Sequence, residues 1–205
     1  CFGGSTGTAT VTATGGTSPY TYLWDDPGAQ TMATANGLTV GSYTVNVTGG
    51  GCASAIAVTL TEPAQMVSNT TNTSPTCFGD CDGGAAVVVT GGLSPYNYLW
   101  DDPSAQTNAA ANGLCDGTFK VIFTDANGCA DSTNVTVTEP VAIITSITGM
   151  TQNACFGDCA GTATIGVGSG GVAPFNYLWD DPGAQTNTTA TGLCAGSYVG
   201  TVTDA

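Results

Sequence analysis

The sequence predicts an all-β chain of tandem antiparallel β-sandwich repeats held together by disulfide bonds. Three observations lead to this prediction: one order of motifs recurs three times, apolar residues alternate with threonine in short runs, and nine cysteines occur in a chain without histidine. Alternation with period two is typical of half-buried strands. Disulfide bonds commonly stabilise small domains of the extracellular space.

The composition argues against several classes of function. The net charge is −14, Lys120 is the single basic residue, and histidine, the commonest acid–base catalyst, is absent. We therefore expect no enzyme. A polyanion would be repelled, which argues against nucleic acid as a partner. No apolar stretch approaches the roughly 20 residues of a spanning helix, so we expect no direct insertion into a membrane.

The repeat unit is about 77 residues long. Its opening motif, CFG, starts at Cys1, Cys77 and Cys155, which are 76 and 78 residues apart, and a closing TEP occurs at residues 61–63 and 138–140. The predicted repeats are therefore 1–63, which lacks its first strand, 64–140, which is complete, and 141–205, which lacks its last strand.

Short alternating runs separated by turn residues predict the strands. Tyr43, Val45 and Val47 alternate with polar residues, and the same pattern predicts that Ile56 and Val58 are buried. Turn signals such as Gly15-Gly16 and Asn36-Gly37 recur at near-regular intervals. This organisation is typical of an immunoglobulin-like antiparallel β-sandwich with six or seven strands per unit.

Two cysteine positions are lost together in the first repeat. The position of Cys81 and Cys159 is Ser5 there, and the position of Cys115 and Cys194 is Thr39. Because an unpaired thiol is a liability in an oxidising compartment, the joint loss predicts the bonds Cys81–Cys115 and Cys159–Cys194.

The remaining cysteines are then expected to pair within their own repeats. We expect Cys1 to bond Cys52 and Cys77 to bond Cys129, while Cys155 pairs with a residue beyond the observed chain. The alternative is a structural zinc site formed by Cys77, Cys81, Cys115 and Cys129, although the first repeat would keep only two of those ligands.

The motif YLWDDP is present in every repeat, and its paired carboxylates allow three interpretations. They could bind calcium, which prefers oxygen ligands, or act as the acid and base of glycoside hydrolysis, or cap a turn in which proline fixes φ. The turn interpretation is simplest, and no cofactor is required by it. The candidate calcium ligands are Asp25, Asp26, Asp101, Asp102, Asp180 and Asp181.

The tryptophans of the same motif have two interpretations. Trp24, Trp100 and Trp179 could be exposed platforms for stacking sugars, or they could belong to the sandwich core. Their position at the end of an aromatic-rich strand, in alternation with tyrosine, favours the core.

The landmarks together resemble a known family. CFG, a GG-x-x-PY-x-YLW strand, NGL-x-x-GSY and DANGC before VTEP are similar to the SprB-type repeat of large surface adhesins of Bacteroidota, and the resemblance covers the whole chain. The resemblance implies a cell-surface protein of many repeats, exported by the type IX route, that serves adhesion and often gliding motility.

Two functions from different classes follow from this reading. The first is an extracellular structural or adhesive protein that forms a stalk or filament on a bacterial surface, with neighbouring copies of itself along or beside a fibre as partners. The second is a multivalent glycan-binding module that grips surface polysaccharide through many weak sites.

Overall fold

The computed structural model describes residues 1–204 and confirms the predicted all-β fold class. The regular structure of these residues consists of strands, and the strands pair antiparallel in every repeat. By packing of Cα positions the chain forms two compact units. One comprises Cys1–Thr70, Val87–Ala109 and Lys120–Thr133, and the other begins at Thr71 and holds the remaining residues.

Each repeat contributes two small sheets in the same strand order. In the first repeat, β1 pairs with β3, and β2, β4 and β5 form the second sheet. Trp24 of β2 lies opposite Val45 of β4, and the tight Gly50-Gly51 turn connects β4 to β5. The strands are β1 (Gly7–Thr10), β2 (Tyr20–Trp24), β3 (Thr34–Leu38), β4 (Gly41–Gly49) and β5 (Cys52–Leu60).

The second repeat has six strands, which form the sheets β6-β7-β9 and β11-β10-β8. Trp100 again lies opposite a valine, Val121. The strands are β6 (Val67–Thr73), β7 (Gly83–Thr90), β8 (Asn97–Trp100), β9 (Ala110–Leu114), β10 (Gly117–Thr124) and β11 (Ala130–Val137).

The third repeat follows the same plan with the sheets β12-β13-β15 and β14-β16. Its strands are β12 (Ile144–Thr151), β13 (Gly161–Ser169), β14 (Asn176–Trp179), β15 (Thr189–Leu193) and β16 (Gly200–Thr203). The peptide bond before the proline that leads into β2, β8 and β14 is cis in all three repeats.

The cores of the first and third repeats are built around the tryptophan. They differ by two compensating changes in side-chain size. Trp24 packs with Leu38, Tyr43 and Val45 in the first repeat. In the third, Gly200 replaces the valine opposite the tryptophan, and a Cβ there would lie 2.0 Å from Ile165 Cδ1. Ile165 stands where the first repeat has the smaller Val11, so the added methylene fills the space that glycine leaves.

The first repeat buries less of β5 than its alternation predicts. Ile56 and Val58 are 60% and 37% exposed, whereas Val135 and Val137 on β11 are buried. The β1-β3 sheet of the first repeat has two strands, and the corresponding sheets of the other repeats have three. An open cleft of about 390 Å³ lies beside Ile56, with Val11 and Val47 in its walls.

Candidate functional sites

The three tryptophans lie in the core and are not sugar platforms. Trp24, Trp100 and Trp179 are at most 2% exposed. Each indole Nε1 donates a hydrogen bond of 2.9 Å to a backbone carbonyl eight residues later. A buried indole needs such an acceptor, and the repeated bond also holds the loop after YLWDDP against the sandwich.

The second aspartate of each YLWDDP motif caps its own turn. In the first repeat, Asp26 accepts hydrogen bonds from the backbone N–H of Gly28 and Gln30 and from the Gln30 side chain, each 3.0 Å long. Asp102 and Asp181 accept the equivalent bonds and are also buried. The backbone turns through an alanine with positive φ, 45° at Ala29, which the cap stabilises.

The first aspartate of each pair ties the turn to the neighbouring strand segment. Asp25 Oδ1 accepts from the backbone N–H of Thr44, and the backbone N–H of Asp25 donates back to the Thr44 carbonyl. Asp101 with Lys120 and Asp180 with Val199 repeat this pair of bonds, each carboxylate bond being 2.7 Å long. Both carboxylates of the motif are therefore used by backbone donors in every repeat.

No group of three or more Asp, Glu, Cys or His side chains with metal-ligand geometry occurs among residues 1–204. The six aspartates named as candidate calcium ligands lie two to a repeat, and their bonds to the backbone leave no converging set of oxygens. These bonds to the backbone favour the turn interpretation of YLWDDP.

A glutamine that the sequence reasoning did not single out braces this turn. Gln30 donates from Nε2 to Asp26 and to the Asn36 carbonyl, and its Oε1 accepts from the Asn36 N–H. Gln185 joins Asp181 to Thr191 in the same way. The available signal was the invariant AQT after DDP in all three repeats.

The capping bonds lower the pKa of the buried aspartates. The Gln30 side chain, then its backbone N–H, holds the pKa of Asp26 below its usual value, and Gln185 does the same for Asp181. Burial acts to raise the pKa of Asp102, but the bonds from Gln106 and Ser104 outweigh it and the pKa is lowered.

These lowered pKa values predict acid destabilisation. A carboxylate whose pKa is lower in the folded than in the unfolded state contributes stability that is fully present above the unfolded value, near 3.8, and lost as the pH falls through the folded value. The melting temperature should therefore fall steeply below about pH 4. Asp26→Asn should flatten this fall, whereas Asp80→Asn, in an exposed loop, should not; equal slopes for both variants would contradict the assignment.

The two cysteine pairs inferred from their joint loss are bonded in the structure. Cys81–Cys115 and Cys159–Cys194 each join the CFG segment of a repeat to the turn after its Gly-Leu. The zinc alternative is thereby overturned, because two of its four cysteines are bonded to each other and Cys129 is bonded elsewhere.

The predicted pairs Cys1–Cys52 and Cys77–Cys129 are wrong. Cys1 is bonded to Cys129 of the second repeat, with a Cα–Cα distance of 5.4 Å, while Cys52, Cys77 and Cys155 are free and exposed.

Strand direction explains the error. The Gly3 N–H next to Cys1 donates to Glu62, just after the end of β5, whereas Cys52 begins β5. The nine residues of β5 separate these ends by about 26 Å, and a disulfide needs Cα atoms within about 7 Å. Within one repeat the two cysteines therefore lie at opposite ends of a strand.

The Cys1–Cys129 bond lies at the junction between the first and second repeats. Within the second repeat, the Gly92 N–H donates to the carbonyl of Ala64, its first residue, which directly follows the closing TEP of the first repeat. Gly91 has a φ of 77°, and a Cβ there would lie 1.9 Å from the Gln65 carbonyl oxygen. A small cleft of about 180 Å³ between Cys1, Pro63 and Asp125 accompanies the junction.

Asp125 organises the hairpin that carries Cys129. Its Oδ1 accepts from the N–H groups of Asn127 and Cys129, each at 2.9 Å, and its Oδ2 accepts from Leu93 at 3.0 Å. Asp125 is 3% exposed; burial acts to raise its pKa, but these bonds, with the amino terminus of Cys1, lower it. The DANGC motif thus presents a cysteine at the junction. The motif can be recognised in the sequence, but the sequence does not show which repeat its cysteine faces.

Several solved structures match the chain at low identity and low TM-score. It is similar to the titin domains I67–I69, with a TM-score of 0.35, 13% identity and coverage of 98% of this chain and 88% of that one. The amphioxus IgVJ-C2 molecule gives a TM-score of 0.32 with 13% identity, covering 66% and 97%. The eight N-terminal domains of the Down syndrome cell adhesion molecule give 0.33 with 11% identity, covering 86% of this chain and 30% of that one. No curated protein matches the chain.

The model of the SprB repeat matches residues 1–29, 69–105 and 148–184, one stretch in each repeat. These stretches cover half of the chain and contain all three CFG and all three YLWDDP motifs. SprB repeats are typical of extracellular or cell-surface proteins. No helix suited to crossing a membrane is found within residues 1–204. The chain belongs to the SprB repeat family and is an adhesin-type repeat module of that kind.

Proposed function

We propose that the chain is a length of an extracellular stalk or filament on a bacterial surface, in which each repeat is joined covalently to the next. The observation that carries the proposal is the Cys1–Cys129 bond between the first two repeats. The partners are neighbouring repeats of the same kind. A net charge of −14 disfavours nucleic acid as a further partner.

The bond suits a structure that must bear tension. A pull that enters before Cys1 and leaves after Cys129 passes through the disulfide and bypasses the polypeptide between them, which spans 128 residues. The enclosed β-strands are therefore not drawn out even if their hydrogen bonds open. A covalent path along the array joins neighbouring repeats into a spacer that resists extension.

Imaging of unreduced material by electron cryo-microscopy tests the stalk. The proposal predicts continuous fibres with an axial repeat that corresponds to one 77-residue unit. Dispersed flexible chains without such a repeat would contradict it. The Cys1→Ser variant is the matched control, because it should bend or break at this junction while leaving the bonds Cys81–Cys115 and Cys159–Cys194 intact.

One observation favours a second candidate, a multivalent binding module for surface polysaccharide. The phenylalanine of each CFG loop is exposed: Phe2 by 54%, Phe78 by 60% and Phe156 fully. An exposed aromatic in the same place on every repeat is the arrangement with which an array of weak sites gains avidity. Saturable binding of surface polysaccharide, lost when the three are replaced by alanine but kept when Leu23, Leu99 and Leu178 are replaced, would establish this function.

The stalk requires no metal. Because backbone donors occupy both carboxylates of each YLWDDP motif, chelation of calcium should leave the melting temperature unchanged. A fall in the melting temperature with chelator that calcium reverses would show instead that the aspartates hold the cation. Asp25→Asn and Asp26→Asn would then locate the ligands by the calcium concentration needed for recovery.

A further inference from the structure

The three free cysteines occupy two positions of the repeat, and both positions are bonded elsewhere in the same chain. We call Cys1, Cys77 and Cys155, which open the CFG motifs, the loop cysteines, and Cys52 and Cys129, which begin or precede the last strand of a repeat, the hairpin cysteines. The bond Cys1–Cys129 joins the loop cysteine of one repeat to the hairpin cysteine of the next. The free thiols are the loop cysteines Cys77 and Cys155 and the hairpin cysteine Cys52.

We infer that this pairing recurs from every repeat to the next, so that Cys77 is the first half of a second inter-repeat disulfide. In a chain that continues after Asp204 as the second repeat continues after Asp125, its partner is the cysteine in the position of Cys129. The inference deepens the proposed stalk and rests on it. Where a further repeat precedes or follows these three, Cys52 pairs with the loop cysteine of the preceding repeat and Cys155 pairs with the hairpin cysteine of the following one.

The loop of Cys77 is held as the loop of Cys1 is held. The Gly79 N–H donates to Glu139 at 2.7 Å, and the Gly3 N–H donates to Glu62 at 2.6 Å. In each loop the carbonyl of the cysteine accepts from the N–H three residues later, at 3.2 Å from Asp80 in the second repeat. The second repeat therefore presents an exposed thiol from the same loop conformation, fixed to the glutamate of its own TEP.

The third repeat opens with the same internal hydrogen bond as the second. The Gly171 N–H donates to the Val141 carbonyl at 3.1 Å, as the Gly92 N–H donates to Ala64 at 2.7 Å. The approach is equally close, because a Cβ at Gly170 would lie 1.9 Å from the Ala142 carbonyl oxygen. The first residues of the third repeat are therefore held within that repeat as those of the second repeat are held.

The hairpin of the third repeat also starts in the same way. Asp204 accepts from the Val172 N–H at 2.9 Å, as Asp125 accepts from Leu93 at 3.0 Å. Strand β16 pairs with β14 so that Thr203 lies opposite Asn176, the register in which Thr124 lies opposite Asn97. A continuation like that of the second repeat would carry its cysteine to the place that Cys129 occupies at the first junction.

The reaction is a thiol–disulfide exchange. The thiols of Cys77 and its partner lose two protons and two electrons as the S–S bond forms, and a disulfide of a thiol–disulfide oxidoreductase or of glutathione takes them and becomes two thiols. Exposure of Cys77 allows the attacking thiolate access to that oxidant.

The test uses the full chain with a copy of residues 127–140 added after Ala205, which supplies the missing hairpin cysteine. After oxidation with glutathione disulfide, peptide mapping should find the added cysteine bonded to Cys77, and free thiols should fall from four to the two of Cys52 and Cys155. A bond from the added cysteine to Cys155, which is the pairing within one repeat, or a free Cys77 would overturn the inference. Formation of Cys1–Cys129 in the same sample is the control for folding.

A second test uses the chain at its present length and does not require the extended chain to fold. Cys1→Ser frees Cys129, and the inferred pairing predicts that Cys129 and Cys77 then both remain free in monomeric chains under the same oxidation. A Cys77–Cys129 bond would overturn it. Both experiments identify which cysteines are bonded, and neither depends on fibre formation. A failure of the disulfide pairing is therefore distinguishable from a failure of the proposed stalk.

Discussion

Replacing Trp24 with alanine should destabilise the first repeat by about 3–5 kcal/mol, the usual cost of removing a buried tryptophan. The indole is 2% exposed and packs with Leu38, Tyr43 and Val45. Its removal leaves a cavity and also leaves the Met32 carbonyl without its hydrogen bond.

Hydrogen exchange of the β2 and β4 amides measures this effect within the repeat, because the other two tryptophans and their repeats stay intact. Leu23→Ala is the matched control. Leu23 precedes Trp24 on the same strand but is 49% exposed, so its loss should cost less than about 1 kcal/mol. Equal protection in the two variants would show that the tryptophan is not the centre of the core.

Replacing Gly91 with alanine should displace the first residues of the second repeat, which lead from the closing TEP of the first repeat into β6. The new Cβ would lie 1.9 Å from the Gln65 carbonyl oxygen, so the backbone must move. The left-handed φ of 77° adds strain of roughly 1 kcal/mol, and the overpacking adds about 1–3 kcal/mol. We expect the Gly92 to Ala64 hydrogen bond to be lost, with faster amide exchange at Gly92.

Gly15→Ala separates the two causes. Gly15 is the equivalent glycine of the first repeat and has a φ of 78°, but no atom lies within 4 Å of the Cβ that alanine would add. It therefore carries the backbone strain without the clash. If both variants lose the same stability in urea unfolding, the close approach of Gly91 to Gln65 is not what requires glycine.

The parts of the fold that depend on neighbours along the chain could be predicted from the sequence. Alternation predicted the strands that carry Tyr43 and Val45, and the turn chemistry of Asp-Pro was the simplest interpretation of YLWDDP. Comparison of the three repeats gave Cys81–Cys115, because both cysteines change together in the first repeat. These inferences rest on local patterns or on internal copies and need no knowledge of strand direction.

The link between repeats could not be predicted in the same way. Pairing Cys1 with Cys52 assumes that they share one end of the sandwich, and the position of the CFG loop beside Glu62 depends on long-range packing. The burial of Ile56 failed for a similar reason, since it depends on how many strands the opposite sheet has. The partner of Glu62 is Gly3, 59 residues away in the sequence, so local patterns could not reveal this contact.

Pulling single molecules from handles fused to the two ends of the chain tests the covalent link between repeats most directly. The Cys1–Cys129 bond hides the polypeptide between residues 1 and 129 from extension. In Cys1→Ser, the 128 residues of that span, less the 34 that Cys81–Cys115 still closes, leave 94 that can extend. At about 3.5 Å per residue, the fully stretched variant should be longer than the unreduced original chain by about 330 Å. Equal stretched lengths for the two chains would contradict a stalk in which a disulfide bond joins each repeat to the next.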